Sequence, residues 1–232
     1  NRALRSMSLF SQDTSITYDD FKRIKFDLEY SENSTMVEYI NRSKKLIRNN
    51  KDSYLLSEAF KVLNNWDLRT NKNNINAALP IISFGRFLDS NPASISDEVL
   101  MSNLNNAVNF LYKQFASLNI AWGNINRLIR GNVNLPLSGG PDILRAIYPN
   151  PNPTKDGHLK SIAGDAYMAL VQWDANGNIK SESIHQFGSS ITNINSEHYN
   201  DQCELFANER FKEISIYRGD VIKNSKEVLI LK

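Results

Sequence analysis

The spacing of apolar residues changes character near Gly131, and this change most constrains the fold of the chain. Upstream of it, apolar residues recur every three or four positions, which predicts amphipathic helices. The longest such stripe follows Ser96-Asp97-Glu98, a helix-start signal. The predicted stripes are Phe21, Ile24 and Leu28; Met36, Ile40 and Ile47; Leu55, Ala59, Val62, Leu63 and Trp66; and Leu100, Leu104, Ala107, Val108, Leu111 and Phe115. A further helix is predicted from about Ile75 to Leu88, with Pro80 in its first turns or at a kink.

Downstream of Gly131, NVNLPLSGGPDILRAIYPNPNPTKDGH holds most of the Pro residues and several Gly, which predicts an irregular segment over 131–158. A β-hairpin turning at Asn176-Gly177 follows. Its first strand is apolar on both faces, which predicts that both faces are buried in a layered structure. One face carries Tyr167, Ala169, Val171 and Trp173, and the other Ala166, Met168 and Leu170.

A short helix from about Asp201 to Glu209 and a terminal strand in EVLILK complete the predicted elements. The predicted fold class is therefore α+β, with a helical N-terminal half and a β-rich second half. Residues 1–130 are expected to be mostly helical and 131–158 an irregular connection. Residues 159–232 are expected to hold the hairpin, short helices and the terminal strand.

Composition limits the classes of function. The 232 residues are 41% hydrophobic and 10% aromatic, enough for a packed core. The 27 basic and 25 acidic residues nearly balance, which argues against a nucleic-acid partner. The single Cys excludes an internal disulfide and a Cys-based zinc site, and no apolar run approaches the roughly 20 residues of a membrane span. Because the chain begins with Asn1 and not with Met, we expect it to be a piece of a longer polypeptide.

The stretch HYNDQC, which runs from His198 to Cys203, contains the residue types of a reactive centre. As a metal site it is incomplete, because His198 and Asp201 need further ligands and the remaining His residues lie in other segments. As a nucleophile, Cys203 lacks an evident base and sits in an apolar helical context, which is typical of a small buried hydrophobe.

A structural interpretation of HYNDQC is favoured by the residues themselves. Asn200 is an acceptable N-cap, and Asp201 and Glu204 place negative charge at the positive end of the following helix. Gln202 and His198 can satisfy backbone groups at a junction between strand and helix. Elsewhere, LPLSGGPDI lacks the spacing and Lys of a phosphate-binding loop, and no Ser lies in a GxSxG elbow. The residues alone therefore show no complete catalytic set, no cofactor motif and no metal site.

Several passages, taken in order, resemble the closing part of penicillin acylase family β chains. SEHYNDQ resembles the family's S-P-H-Y-x-D-Q passage, and Gly188-Ser189-Ser190 resembles the G-x-S turn before it. AWGNINRLIRGNVNLPLSGGPDILRA is similar to a W-G-x-x-x-R…LP-x-x-GG-x-D-x-L-R-A passage. LNNWDL resembles an L-x-x-W-D helix pair, and RALRSM an R-x-x-R-I element. The resemblance covers nearly the whole chain.

The resemblance implies an α-β-β-α layered N-terminal nucleophile hydrolase, which cuts amide bonds with a Ser freed by self-cleavage. In that family the nucleophile and the oxyanion Asn lie upstream of the matched part. The chain is therefore expected to be the C-terminal portion of a β chain, inactive alone and without catalytic residues of its own. Its implied partners are an N-acyl substrate, the α chain and the rest of the β chain, and its implied location is periplasmic or extracellular. No cofactor is implied.

The resemblance also assigns roles to individual residues. His198, Tyr199, Asp201 and Gln202 are the family's landmark, and they are expected to fix the last helix against the sheets. Gln172 stands where several acylases carry a Glu near the active site, so it is a candidate supporting residue, or otherwise a buried amide bonded to backbone. Glu197 replaces the usual Pro before His198.

The leading interpretation is thus an amide hydrolase, with a β-lactam antibiotic, an acyl-homoserine lactone or a similar N-acyl compound as substrate. One alternative is a non-catalytic relative, or a binding module that retains the scaffold. Another is a free-standing helical interaction domain with an appended hairpin, which would fold as a compact monomer.

Overall fold

A computed structural model describes residues 1–12, 14–49 and 53–225 of the chain. The chain forms two compact units, Asn1–Gly164 and Asp165–Lys232. The predicted terminal strand EVLILK, residues 227–232, lies outside the described residues. In the part that is described, no helix has the length and apolar character needed to cross a membrane.

The first unit is built mainly from helices, as the apolar stripes predict. Two short 3-10 turns, Gly85–Phe87 and Pro92–Ser94, lie between the fifth and sixth helices. The helices are α1 (Arg2–Ser11), α2 (Tyr18–Lys25), α3 (Thr35–Arg48), α4 (Tyr54–Asn65), α5 (Ala78–Phe84), α6 (Asp97–Phe115) and α7 (Trp122–Ile125).

Helix α6 confirms the strongest helical prediction. The Ser96 hydroxyl caps it by accepting a hydrogen bond from the backbone N–H of Val99 at 3.3 Å. The apolar stripe from Leu100 to Leu111 is buried against α3, α4 and α5, and Phe115 at its end is half-buried. Helix α6 ends at Phe115 and is followed by Ala116, which adopts a left-handed conformation with φ 53°. Helix packing around α6 is therefore the core of this unit.

Helix α5 begins at Ala78 and not near Ile75. The preceding residues form turns in which the Asn74 side-chain oxygen accepts the backbone N–H of Asn76 at 2.9 Å, so Asn side chains compete with the helix for backbone groups. Pro80 lies in the first turn, where its missing N–H breaks no helical hydrogen bond, as predicted.

The first unit also contains a four-stranded sheet, with the order β2-β1-β4-β3. Its strands are β1 (Asn126–Arg130), β2 (Val133–Pro136), β3 (Ile147–Pro149) and β4 (Leu159–Gly164). Strands β1 and β4 are parallel, and the other two pairs are antiparallel. Residues 131–158 thus carry two strands where the sequence predicts irregular structure. Pro136 and Pro149 are compatible with them because both strands lie at sheet edges.

The second unit holds a three-stranded sheet with the order β5-β6-β7, so the predicted hairpin is confirmed. Its elements are β5 (Met168–Trp173), β6 (Ile179–Ile184), α8 (Cys203–Ala207), β7 (Lys212–Glu213) and α9 (Arg218–Asn224). Met168 pairs with Ile184, and Trp173 pairs with Ile179.

Strand β5 is buried on one face only, so the prediction of two buried faces is wrong. Met168 and Leu170 are buried, whereas Tyr167, Val171 and Trp173 are 60%, 43% and 64% exposed. The strand lies at the edge of its sheet, and no described element covers this apolar row. An apolar pattern indicates which strand faces favour burial, but it does not show whether the layer that would cover them belongs to the same unit.

Helix α8 also differs from its prediction, since it begins at Cys203 and has Gln202, not Asn200, as N-cap. Two contacts explain the later start. The backbone N–H of Gln202 donates to the carbonyl of Phe187 at 2.9 Å, and the carbonyl of Asn200 accepts from Cys203 in a turn at 3.2 Å. These bonds hold residues 200–202 outside the helix.

The hairpin loop depends on the Asp174 carboxylate. It accepts hydrogen bonds from the Asn178 side-chain amide at 2.7 Å and from the backbone N–H groups of Asn178 and Asn176 at 2.9 and 2.8 Å. Gly177 follows with φ 80°, a left-handed conformation that Gly adopts readily in hairpin loops. The bond from the Asn178 side chain is the main cause of a lowered Asp174 pKa.

Asn178→Ala should raise the Asp174 pKa toward the value of about 3.9 seen in unfolded peptides. Because the folded-state pKa is lowered, the carboxylate stabilises the hairpin above the unfolded pKa, and this contribution is lost as pH falls through the folded pKa. NMR titration of the Asp174 carboxyl carbon measures the change in pKa. Asn176→Ala is the control, because Asn176 bonds to the carboxylate through its backbone N–H, which Ala retains. An unchanged pKa in Asn178→Ala would contradict this account.

Candidate functional site

The loop over residues 139–146, GGPDILRA, is the meeting point of the first unit, and we call it the hub loop. The backbone N–H of Gly139 donates to the carbonyl of Thr70 at 3.0 Å. The buried Trp122 indole donates to the carbonyl of Gly139 at 2.7 Å. The Tyr30 hydroxyl donates to the carbonyl of Pro141. Segments far apart in sequence therefore depend on one loop for their backbone hydrogen bonds.

Asp142 joins the start of α1 to the hub loop. Its carboxylate accepts the backbone N–H of Arg2 at 3.4 Å, and its carbonyl accepts the Asn1 side-chain amide at 3.0 Å. The Asn1 side-chain oxygen in turn accepts the backbone N–H of Ser31 at 2.8 Å. Asp142 has φ 56°, a left-handed conformation that Asp tolerates better than most residues. Such backbone strain persists only where surrounding contacts fix it.

A second tie to the hub loop passes through Asp27. Its carboxylate receives two hydrogen bonds from the Arg5 guanidinium, at 2.7 and 3.0 Å, and these bonds are the main cause of a raised Arg5 pKa. The carbonyl of Asp27 accepts the backbone N–H of Arg145 at 3.1 Å. The Lys25 ammonium reaches the carbonyl of Leu144 at 2.9 Å. A bidentate Arg–carboxylate pair fixes geometry as well as charge, so the RALR element is anchored by Arg5.

The LNNWDLRT passage reaches the hub loop through Thr70 and Tyr30. The Trp66 indole donates to the carbonyl of Arg69 at 2.8 Å, and the Trp66 and Tyr30 rings meet edge to face at 5.7 Å between centroids. Burial is the main cause of a Tyr30 pKa well above its ordinary value, so this hydroxyl is neutral and serves as a hydrogen-bond donor. The hydrogen bonds of the hub loop join segments that are far apart in the chain, which is the arrangement of a scaffold.

The landmark residues of SEHYNDQ form a second cluster, in the second unit. The His198 Nδ1 lies 2.9 Å from an Asp201 carboxylate oxygen, and both side chains are largely exposed. The carbonyl of His198 accepts the backbone N–H of Ser190 at 3.0 Å. The Gln202 side-chain oxygen accepts the backbone N–H of His185 at 3.1 Å. These bonds connect the end of β6 and the GSS turn with the start of α8.

Gly188 shows how closely the landmark packs. A Cβ at this position would lie 2.1 Å from the carbonyl oxygen of His198 and 2.5 Å from the Asp201 carboxylate. Only a residue without a side chain fits there. The backbone N–H of Tyr199 donates to Ser196 within the same loop at 3.1 Å. The loop over residues 196–202 therefore closes directly onto the GSS turn.

The remaining candidates do not converge on a reacting centre. Gln172 is exposed on β5, opposite Lys180, so the alternative of a buried amide is wrong. Cys203 is buried, and its thiol lies 3.7 Å from the carbonyl of Phe187. Across the described ranges, no group of three His, Cys, Asp or Glu residues is placed to hold a metal ion.

The family model for penicillin amidase matches residues 1–223. The chain belongs to the penicillin amidase family. No curated protein sequence matches it.

Among solved structures, the chain is similar to a thermostable penicillin G acylase from Alcaligenes faecalis. That acylase is 14% identical, the match covers 98% of this chain and 51% of the acylase chain, and the TM-score is 0.48. The chain thus spans about half the length of that acylase chain.

Sequence reasoning identified the motifs of the hub but not the contacts among them. It did not single out Asp142, Asp27 or Tyr30, which link RALR, WDLRT and GGPDILRA. A usable signal was present, because an Asp beside the Gly-Gly pair and an Arg-rich first helix are natural partners for charge-assisted bonds. The pairing itself spans more than a hundred residues and could not be read from local pattern.

Proposed function

We propose that this chain is the C-terminal portion of a penicillin acylase-like amidohydrolase, which hydrolyses the amide bond of an N-acyl substrate. The nucleophilic Ser would lie elsewhere in the parent polypeptide, and this chain alone would be inactive. The observation that carries the proposal is the family match across residues 1–223. The substrate class would be a β-lactam antibiotic, an acyl-homoserine lactone or a related N-acyl compound.

The role of this chain in such an enzyme would be structural support. The hydrogen bonds of the hub loop join distant segments of the chain, which suits residues that hold loops in place. In the second unit, His198, Tyr199, Asp201 and Gln202 would fix α8 against the sheet. The hydrogen bonds from His185 to Gln202 and from Gln202 to Phe187 support this assignment.

The partners in the enzyme would be the α chain and the N-terminal part of the β chain, in an α-β-β-α layered arrangement. The exposed apolar row of Tyr167, Val171 and Trp173 supports this proposal, because a second layer would remove it from water. Gln172 lies on the same strand and stays a candidate supporting residue if that layer contains the active site. Membership of this family also supports a periplasmic or extracellular location of the enzyme, which cell fractionation would test.

A non-catalytic relative that retains the scaffold is the second candidate. Two departures from the family pattern favour it. Gln172 cannot supply the charge of a Glu, and Glu197 replaces a Pro before His198. The two candidates make different predictions for the parent polypeptide but the same prediction for this chain.

The deciding experiment compares the purified parent with residues 1–232 on a panel of N-acyl substrates, including penicillins, acyl-homoserine lactones and N-acyl amino acids. We expect amide hydrolysis by the parent and none by the chain alone. The control is the parent with its predicted nucleophilic Ser changed to Ala, which should lose activity. Equal turnover by the isolated chain would overturn the proposal, and a parent inactive on the whole panel would favour the non-catalytic relative.

A further inference from the structure

A cavity of about 480 Å³ opens in the first unit, and Pro141 of the hub loop is part of its lining. One wall is the α6 face with Asn103, Asn106 and Phe110, which lie three or four residues apart. A second wall is the end of α5 and the turn after it, with Ile82 and Arg86. A volume of this size lies within the range of small-molecule sites, about 300–1,000 Å³.

The third wall is the Pro-rich stretch that the sequence marks as irregular. Pro149, Pro151 and Pro153 all line the cavity. Each Pro ring fixes its own φ, so this wall has little freedom to collapse. The Asn150 side-chain oxygen accepts the backbone N–H of Asn152 at 2.9 Å and fixes the turn between them. The cavity is therefore formed before any ligand binds, which lowers the entropic cost of binding.

The charge of the cavity is set by one residue. Among the described lining residues Arg86 is the only charged one, and the others are apolar or neutral. Its guanidinium lies over the Phe87 ring, 4.6 Å from the centroid. Among the described residues Arg86 has no acidic partner. The Asn106 amide likewise has no hydrogen-bond partner in the described part of the chain. The Arg86 guanidinium and the Asn106 amide can bind an anionic group, and the apolar lining can bind a hydrocarbon group. The cavity therefore favours a ligand that carries both.

We propose that this cavity binds a small carboxylate with an aliphatic tail. The carboxylate would contact Arg86 and Asn106, and the tail would lie against Ile82, Phe110 and the prolines. A carboxylate is favoured over other anions because a guanidinium binds it through two parallel hydrogen bonds, while the apolar walls desolvate a hydrocarbon chain. Binding here requires no catalysis, so it is independent of the proposed amide hydrolysis.

The test uses residues 1–232 with octanoate as the probe, measured by calorimetry and by NMR of the isotope-labelled chain. Octanamide and octylamine share the tail and differ in charge. We expect octanoate to bind at least tenfold more tightly than either and to shift the Arg86 side-chain resonance. Arg86→Gln should weaken octanoate binding at least tenfold. Its matched control is Arg48→Gln, because Arg48 also lies over a ring, that of Phe60 at 5.2 Å, but outside the cavity.

A second pair of variants tests the location without changing charge. Asn106→Trp places a bulky side chain at the cavity and should abolish binding. Asn105→Trp makes the same change at the neighbouring exposed position of α6, outside the lining, and should not. Circular dichroism shows whether each variant is folded. Absence of octanoate binding, equal binding of octanamide, or wild-type affinity in folded Arg86→Gln or Asn106→Trp would each overturn the proposal.

Discussion

Trp122→Ala should cost the first unit about 3–5 kcal/mol of its free energy of unfolding. Trp122 is fully buried in the core, so its removal leaves a large cavity. It also deletes the 2.7 Å hydrogen bond from the indole to the carbonyl of Gly139. Among the described residues, the contact that this carbonyl retains is the 3.5 Å one with the Asn126 amide. An under-bonded buried carbonyl adds to the cost of the cavity.

This loss is large against a typical total stability of about 5–15 kcal/mol. Urea unfolding followed by far-ultraviolet circular dichroism measures it. Trp122→Phe keeps most of the side-chain volume but loses the hydrogen bond, so it should cost less, about 1–3 kcal/mol. Trp173→Ala is the matched control, because Trp173 is 64% exposed and its removal should change the free energy of unfolding little. A Trp122→Ala chain within about 1 kcal/mol of the native chain would refute the central role of the hub loop.

Gly188→Ala is expected to separate the loop over residues 196–202 from the turn over residues 188–190. The new methyl group would meet backbone, since the carbonyl oxygen of His198 lies only 2.1 Å from the position of its Cβ. Backbone cannot swing aside as a flexible side chain can, so residues 196–202 must shift. Overpacking of this kind costs about 1–3 kcal/mol, and occasionally more.

Hydrogen exchange is the direct measurement, because the shift must break named bonds. The amide of Ser190, which donates to His198, and the amide of Gln202, which donates to Phe187, should both lose protection. The matched control is Gly219→Ala in α9, where an added Cβ meets nothing within 4 Å. Unchanged protection of both amides would show that the landmark does not hold α8.

Local patterns predicted the helices because helix formation depends on neighbours three and four residues apart. The stripe of α6, its Ser96 cap and the Asn176-Gly177 turn were all readable for this reason. The strands in 131–158 were missed because their pairing depends on distant partners, such as β1 with β4. The start of α8 was missed because the Gln202 backbone N–H donates a hydrogen bond to the Phe187 carbonyl, which lies in a separate segment.

The same distinction applies to the site. The sequence reveals RALR, WDLRT, GGPDILRA and SEHYNDQ as motifs, since each is a short run of residues. It does not reveal that Asp142, Asp27 and Tyr30 connect the first three, because those bonds join separate segments of the chain. The exposed face of β5 could not be predicted either, because burial depends on which layers are present and not on the strand itself.

The hydrogen bond between the Asn1 side chain and the Asp142 carbonyl affects the order in which the molecule folds. It joins positions 141 residues apart, so α1 emerges from the ribosome long before the loop that anchors it. Closing so long a span is entropically costly and slow, and proteins rich in distant contacts fold slowly. The helices around α6 can assemble early from local contacts. Helix α1 can bond to Asp27 early, because Arg5 and Asp27 are only 22 residues apart, but its attachment to Asp142 must wait for the later segment.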